Sequence, residues 1–134
     1  MVETLRGNAW NGSERRKTKR LLYLDDEPDE LVIFRINAEA MGFDVTTVKY
    51  PSDFIKEFEG GRYDVAITDY ILSSVDGINL MRLLHREKSP DTKLYIFTAY
   101  DKNLVIEKVN GDKINGVLAK SDGIQKALAE VVNG

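Results

Sequence analysis

Short apolar runs alternate with amphipathic stretches from residue 20 to the end of the chain. Arg20–Leu24 (RLLYL) is apolar almost throughout and stops at acids, which reads as a buried strand. Pro28 then opens a helix predicted to run to about Met41. Proline is tolerated in a first helical turn, and Asp29 and Glu30 suit the positive end of the helix dipole. Leu31, Phe34, Ala38 and Met41 recur at helical spacing before Gly42. Val45–Val48 is rich in β-branched residues and predicts a second strand. Pro51-Ser52-Asp53 starts a helix that Gly60-Gly61 ends. Asp64–Thr68 (DVAIT) is a third strand, followed by Asp69 and a loop over 70–76. Ile78, Leu80, Met81 and Leu84 place a helix over 77–88, and Ser89-Pro90-Asp91 punctuates it. Lys93–Thr98 (KLYIFT) predicts the fourth strand, 101–110 a weaker helix, 116–119 a short fifth strand and 122–132 the last helix.

Five strand–helix units with short connections follow from this pattern. Strands that are apolar on both sides need cover on both sides, which argues a parallel sheet with helices on its two faces. Right-handed crossovers then make it doubly wound. In an open parallel sheet the chemistry gathers at the carboxyl ends of the strands. The first strand delivers Asp25, Asp26 and Glu27 there, the third Asp69, the fourth Thr98 and the fifth Lys120.

Carboxylates held that close repel one another, and a hard divalent cation relieves the repulsion. Asp25, Asp26 and Asp69 therefore make a candidate Mg²⁺ pocket. A threonine hydroxyl and a lysine ammonium beside it suit phosphoryl chemistry, in which charge on phosphoryl oxygens must be neutralised. The nucleophile is expected to be a carboxylate. The chain has no cysteine, and its one histidine, His85, stands on a polar helix face among Arg82, Arg86 and Lys88. Thiol chemistry, disulfide scaffolds and the usual zinc sites are excluded by the same count.

Charge changes the picture at one end. Residues 1–20 carry six basic side chains against two acids, a net of +4, and the rest of the chain carries −7. Residues 1–18 are expected to form a basic, flexible N-terminal tail and 19–134 the folded domain. An acidic body of this kind does not attract nucleic acid by its overall field. No helix-turn-helix pattern occurs, so no DNA-binding domain is expected in this chain. No secretory signal or membrane-length apolar stretch occurs either, and the expected location is cytoplasmic, away from membranes.

The segments Leu21–Glu30 (LLYLDDEPDE), Tyr63–Leu80 (YDVAITDYILSSVDGINL) and Ser89–Ala99 (SPDTKLYIFTA), with Lys120, resemble the receiver domain of two-component response regulators. The likeness runs from residue 20 to about 133. It implies an α/β, flavodoxin-like, doubly wound five-stranded parallel sheet of order 2-1-3-4-5 with five helices. It implies that Asp69 is the phosphoacceptor, receiving a phosphoryl group from the phosphohistidine of a sensor histidine kinase or phosphotransfer protein. Mg²⁺ would be held directly by Asp26 and Asp69, mainly through water by Asp25, and by the backbone carbonyl of Ile71. Thr98 would hydrogen-bond the phosphoryl group and Lys120 would pair with it. Asp76-Gly77 would shape the loop and start the next helix. Such a domain is a signalling phosphoacceptor that assists only its own phosphorylation and dephosphorylation, not an enzyme, and it switches a surface for a downstream protein.

Three positions depart from the pattern. Ser73 and Ser121 stand where the family usually has proline, which makes Lys120–Ser121 a bond to inspect for a cis peptide. Val117 stands where the fifth strand often carries an aromatic residue, so the aromatic half of the usual threonine–aromatic switch is missing. Ile71 and Tyr100 stand at the two positions that, by the resemblance, tune phosphate lifetime. Apolar Ile71 cannot position an attacking water and Tyr100 would shield the site, which predicts a long-lived acyl phosphate. The departures sustain an alternative, a non-phosphorylated protein-interaction module on the same fold. An aspartyl phosphohydrolase fits less well, because such enzymes want two acids separated by one residue, and Asp25 and Asp26 are adjacent. The resemblance also implies that the face of the fourth helix, fifth strand and fifth helix carries output and often dimerisation. Here that stretch holds Leu104, Val105, Ile106, Val109 and Ile114, more than one buried stripe needs, so a homodimer through this face is an expectation.

Overall fold

The computed structural model describes residues 18–134, so the expected basic tail lies outside the described residues but for Thr18. Five parallel strands, β1 (Arg20–Leu24), β2 (Asp44–Val48), β3 (Val65–Asp69), β4 (Lys93–Thr98) and β5 (Gly116–Ala119), form one sheet in the order β2-β1-β3-β4-β5. Five helices connect and close them: α1 (Pro28–Ala40), α2 (Pro51–Glu59), α3 (Gly77–Leu83), α4 (Lys102–Lys108) and α5 (Ile124–Asn133). Strand side chains alternate between faces, so the sheet has two apolar layers. Leu22, Leu24, Ala66, Leu94, Ile96 and Val117 pack with Phe54 and Phe58 of α2, Ile78, Leu80 and Met81 of α3, and Val105 of α4. Leu21, Tyr23, Val65, Ile67, Phe97 and Leu118 pack with Phe34 and Ala38 of α1 and Ala127, Leu128 and Val131 of α5.

The strands fall where the pattern puts them, within a residue. Helix ends differ, each for a local reason. α1 closes at Ala40, and Met41 becomes an exposed cap before Gly42 turns the chain at φ +97°. α3 stops at Leu83 instead of 88. Leu84 turns extended to stay buried, the His85 amide donates to the Glu59 carboxylate, and a separate 3-10 turn covers Arg86–Lys88. α4 begins after Asp101, whose side chain accepts the Asn103 N–H at 2.8 Å. A 3-10 turn over Lys120–Asp122 precedes α5, and Gly123, at φ +89°, redirects the chain into it. Among the described residues no helix is long and apolar enough to cross a membrane.

Candidate functional site

Sheet register brings the strand ends level. Leu24 of β1 is paired with Thr68 of β3, so Asp25 follows abreast of Asp69. Asp69 is paired with Phe97, and Thr98 with Ala119, so Thr98 and Lys120 reach the same edge. Two-residue alternation then sorts the side chains. The columns Leu21-Tyr23-Asp25 and Val65-Ile67-Asp69 are apolar inside and end in a carboxylate at the rim. Asp25, Asp26 and Asp69 each offer an oxygen, all within 4.8 Å of one another. That donor set, oxygen only and crowded with negative charge, is what a hard divalent cation requires.

Each member is held by named partners. Asp25 is wholly buried. Its Oδ1 accepts the Glu27 N–H at 3.0 Å, and its Oδ2 accepts the Tyr23 hydroxyl at 2.8 Å and lies 3.2 Å from Lys120 Nζ. Asp26, half-buried, accepts the Ser73 backbone N–H on Oδ2 at 2.8 Å. A proline at position 73 would have no such hydrogen to give, so the serine opens a contact between loop and acid pair. Lys120 Nζ sits 3.0 Å from Asp69 Oδ1 and 3.4 Å from Glu30 Oε1, with the Phe97 ring centroid 5.5 Å away. One ammonium thus serves three carboxylates.

These surroundings shift ionisation. Burial pushes the Asp69 carboxyl up to about 6, against the hydrogen bond and charge of Lys120, which pull it down. Burial alone would lower Lys120, but the hydrogen bond and charge of Asp69, then the charge of Asp25, hold it above its ordinary value. Burial, followed by the charge and hydrogen bond of Asp25, raises Tyr23 well above the ordinary phenol range. The pair Asp69–Lys120 is therefore a carboxylate and an ammonium at pH above about 6, with Tyr23 a permanent donor beneath.

Of the residues singled out from sequence, Asp25, Asp26, Asp69 and Lys120 meet directly. Thr98 is buried on the neighbouring strand, its Oγ1 accepting the Tyr100 N–H at 2.8 Å. Ile71 is exposed in the β3–α3 loop, bridged to Asp76. Asp76 caps α3 by accepting the Asn79 N–H at 2.8 Å. Every peptide bond among the described residues is trans, Lys120–Ser121 included. Sequence reasoning missed Tyr23, read only as part of an apolar run, and Glu30, read only as a helix-end acid. The two-residue offset between Tyr23 and Asp25 was the available signal for the first. A cavity of about 570 Å³ lined by Arg20, Arg62, Tyr63 and Asp64 lies at the opposite edge of the sheet and holds none of these residues.

The fold and the acid cluster define a receiver. Residues 21–132 match the response regulator receiver domain, and the chain belongs to that family. It is 30% identical over 70 residues to the alkaline phosphatase synthesis transcriptional regulatory protein PhoP of Bacillus subtilis, a stretch covering 52% of this chain and 29% of that protein. The chain thus matches less than a third of that relative's length. Among solved structures, the chemotaxis response regulator CheY4 of Vibrio cholerae superposes with a TM-score of 0.77 at 15% identity, covering 87% of this chain and 98% of that one. The response regulator protein TrrA of Thermotoga maritima, in complex with Mg²⁺–BeF, gives 0.75 at 23% identity, covering 87% and 98%. At such identities these two likenesses speak for the fold.

Proposed function

We propose that residues 19–134 form a phosphorylatable switch, acting in the cytoplasm behind a basic arm over 1–18. Asp69 accepts a phosphoryl group from the phosphohistidine of a sensor histidine kinase or phosphotransfer protein, and the change is passed to a surface that binds a downstream protein. The observation that carries this reading is the setting of Asp69: a mostly buried carboxylate within 4.8 Å of two others and 3.0 Å from a lysine ammonium. Above about pH 6 Asp69 is ionised, a carboxylate nucleophile paired with Lys120. It attacks phosphorus, the O–P bond forms as the P–N bond to the donor imidazole breaks, and the electron pair returns to that nitrogen. Lys120 is already seated to follow the new negative charge from carboxylate to phosphoryl oxygen. Thr98 accepts from Tyr100 and keeps its own hydroxyl hydrogen to donate to the phosphoryl group.

Asp26 and Asp69 are the residues to hold Mg²⁺ directly, with Ile71 through its carbonyl. Asp25 already receives three protein donors, which leaves its oxygens little capacity beyond a bridging water. When bound, the ion neutralises charge on the phosphoryl oxygens during transfer. TrrA, similar to this chain in fold, is in complex with Mg²⁺–BeF, which supports a role for Mg²⁺ but not any one donor. The chain turns over no substrate in this reading; it assists only its own phosphorylation and dephosphorylation.

The test is incubation with acetyl phosphate and Mg²⁺, followed by intact mass. A gain of one phosphoryl group that disappears in Asp69→Asn is the expected result, and no gain at saturating donor would refute the proposal in favour of a pure interaction module. After donor removal the label is expected to decay slowly, because Ile71 is apolar and has no group to align a water with phosphorus, and the Tyr100 ring is the candidate shield for the site.

A further inference from the structure

Phosphoryl acceptance accounts for the carboxylates and the lysine but not for the phenol beneath them. Tyr23 is enclosed, 1% exposed. Its ring stacks on Phe34 with centroids 3.8 Å apart and meets Phe97 edge-on at 6.3 Å. An aliphatic side chain fills every other place along β1 between Leu21 and Leu24. The phenol adds one thing to that packing, a hydroxyl, and it is spent on Asp25 Oδ2 at 2.8 Å. Lys120 approaches the same oxygen at 3.2 Å while standing 3.0 Å from the acceptor. Phenol and ammonium therefore share one oxygen of a carboxylate that has no access to bulk water.

We propose that Tyr23 is a positioning residue for the acidic site: its hydroxyl satisfies Asp25, which keeps Lys120 on Asp69 and limits the grip of Asp69 on its cation. A hydrogen bond withdraws charge from the oxygen that accepts it. Without it, Lys120 at 3.2 Å is the donor left on the buried Asp25 Oδ2, since the Glu27 N–H serves Oδ1, and that oxygen must take more from it. Lys120 then moves toward Asp25 and away from the acceptor, which leaves Asp69 with more uncompensated negative charge for a cation. Two properties move in opposite directions: divalent-ion affinity rises and phosphoryl acceptance slows. Lost packing alone would weaken both.

The inference rests on the proposed Mg²⁺-dependent phosphoacceptor reading, and the experiment separates the two. Mg²⁺ is titrated calorimetrically into the full chain and into Tyr23→Phe, which keeps the ring on Phe34 and removes one oxygen. The variant is expected to bind Mg²⁺ about threefold more tightly or better. It is expected to react with acetyl phosphate more slowly at saturating Mg²⁺. Equal or weaker affinity in the variant overturns the role of Tyr23 and leaves the phosphoacceptor reading standing. A native chain that binds no Mg²⁺ overturns both. Should Tyr23→Phe fail to fold, 3-fluorotyrosine at position 23, a stronger donor of nearly the same shape, is titrated in its place and must weaken Mg²⁺ binding; unchanged or tighter binding overturns the proposal.

Discussion

Asp69 carries its charge at a conformational cost. Its carboxyl is pushed from 3.8 to about 6 in the folded chain, chiefly by burial. Between roughly pH 4 and 6 the unfolded chain has released this proton and the folded chain still holds it. Stability from this group is thus complete below about pH 4 and is lost as pH rises through 6. In metal-free buffer Asp69→Asn is expected to be more stable than the native chain at pH 7.5, by up to about 3 kcal/mol at 1.36 kcal/mol per pH unit. The advantage is expected to shrink toward zero near pH 4. Urea titrations of both proteins in chelator across this range check it, and an advantage that stays constant with pH contradicts it. The acids and Lys120 were legible in the sequence because they stand together at separate strand ends, where no one of them alone would mark a site. Tyr23 and Glu30 were not, because each has an ordinary duty, core filling or helix-dipole complement, that explains its presence without the site. What exposes their second role is a distance across the chain, 2.8 Å from Tyr23 to Asp25 and 3.4 Å from Glu30 to Lys120.

At the level of elements, the site depends most on how α3 is set against the end of β3. Gly77, the first residue of α3, sends its N–H to the Tyr70 carbonyl. A Cβ there would stand 2.7 Å from the Asp69 carbonyl oxygen and 3.0 Å from Thr68 Cγ2. Backbone cannot yield as a flexible side chain can, so the helix start or the strand end must shift. Gly77→Ala is expected to cost about 1–3 kcal/mol and to slow phosphorylation of Asp69 by displacing the acceptor; denaturant melts and the acetyl phosphate rate measure the two effects. A fully stable variant would mean that the junction is looser than its contacts imply. The same junction marks where sequence reading stopped short. Strands were recognisable by composition, since a sheet covered on both faces admits few polar residues. Helix ends were not, because tertiary contacts set them: Glu59 takes the His85 amide, and α3 ends five residues short of the 88 expected for it. Likewise Ser73 reads as a missing proline until its amide is found on Asp26.

Across the whole molecule, the strand order was accessible from the right-handed rule and the likeness to receivers, whereas the exposed apolar surface was not. Of the five residues that suggested an association face, Val105 is buried and Val109 and Ile114 pack partly against the core. Leu104 and Ile106 remain outward, and Tyr100, ahead of α4 in the chain, is exposed as well. α1, in the opposite layer, leaves Val32, Ile33 and Ile36 exposed, an apolar patch that helical spacing assigned to no face. Two aliphatic side chains on a helix of seven residues fall short of the roughly 800 Å² per partner that a stable interface buries. Self-association through α4 is therefore expected only with a change in the acid pocket, where Thr98 holds the Tyr100 N–H ahead of that helix. The native chain is expected to sediment as a monomer without activation, and as a concentration-dependent dimer with Mg²⁺ and beryllofluoride. Leu104→Glu should abolish the dimer and Ile36→Asp should leave it intact. If Ile36→Asp alone dissociates it, the interface belongs to α1. A monomer under both conditions would leave the α4 face to a partner other than a second copy of this chain.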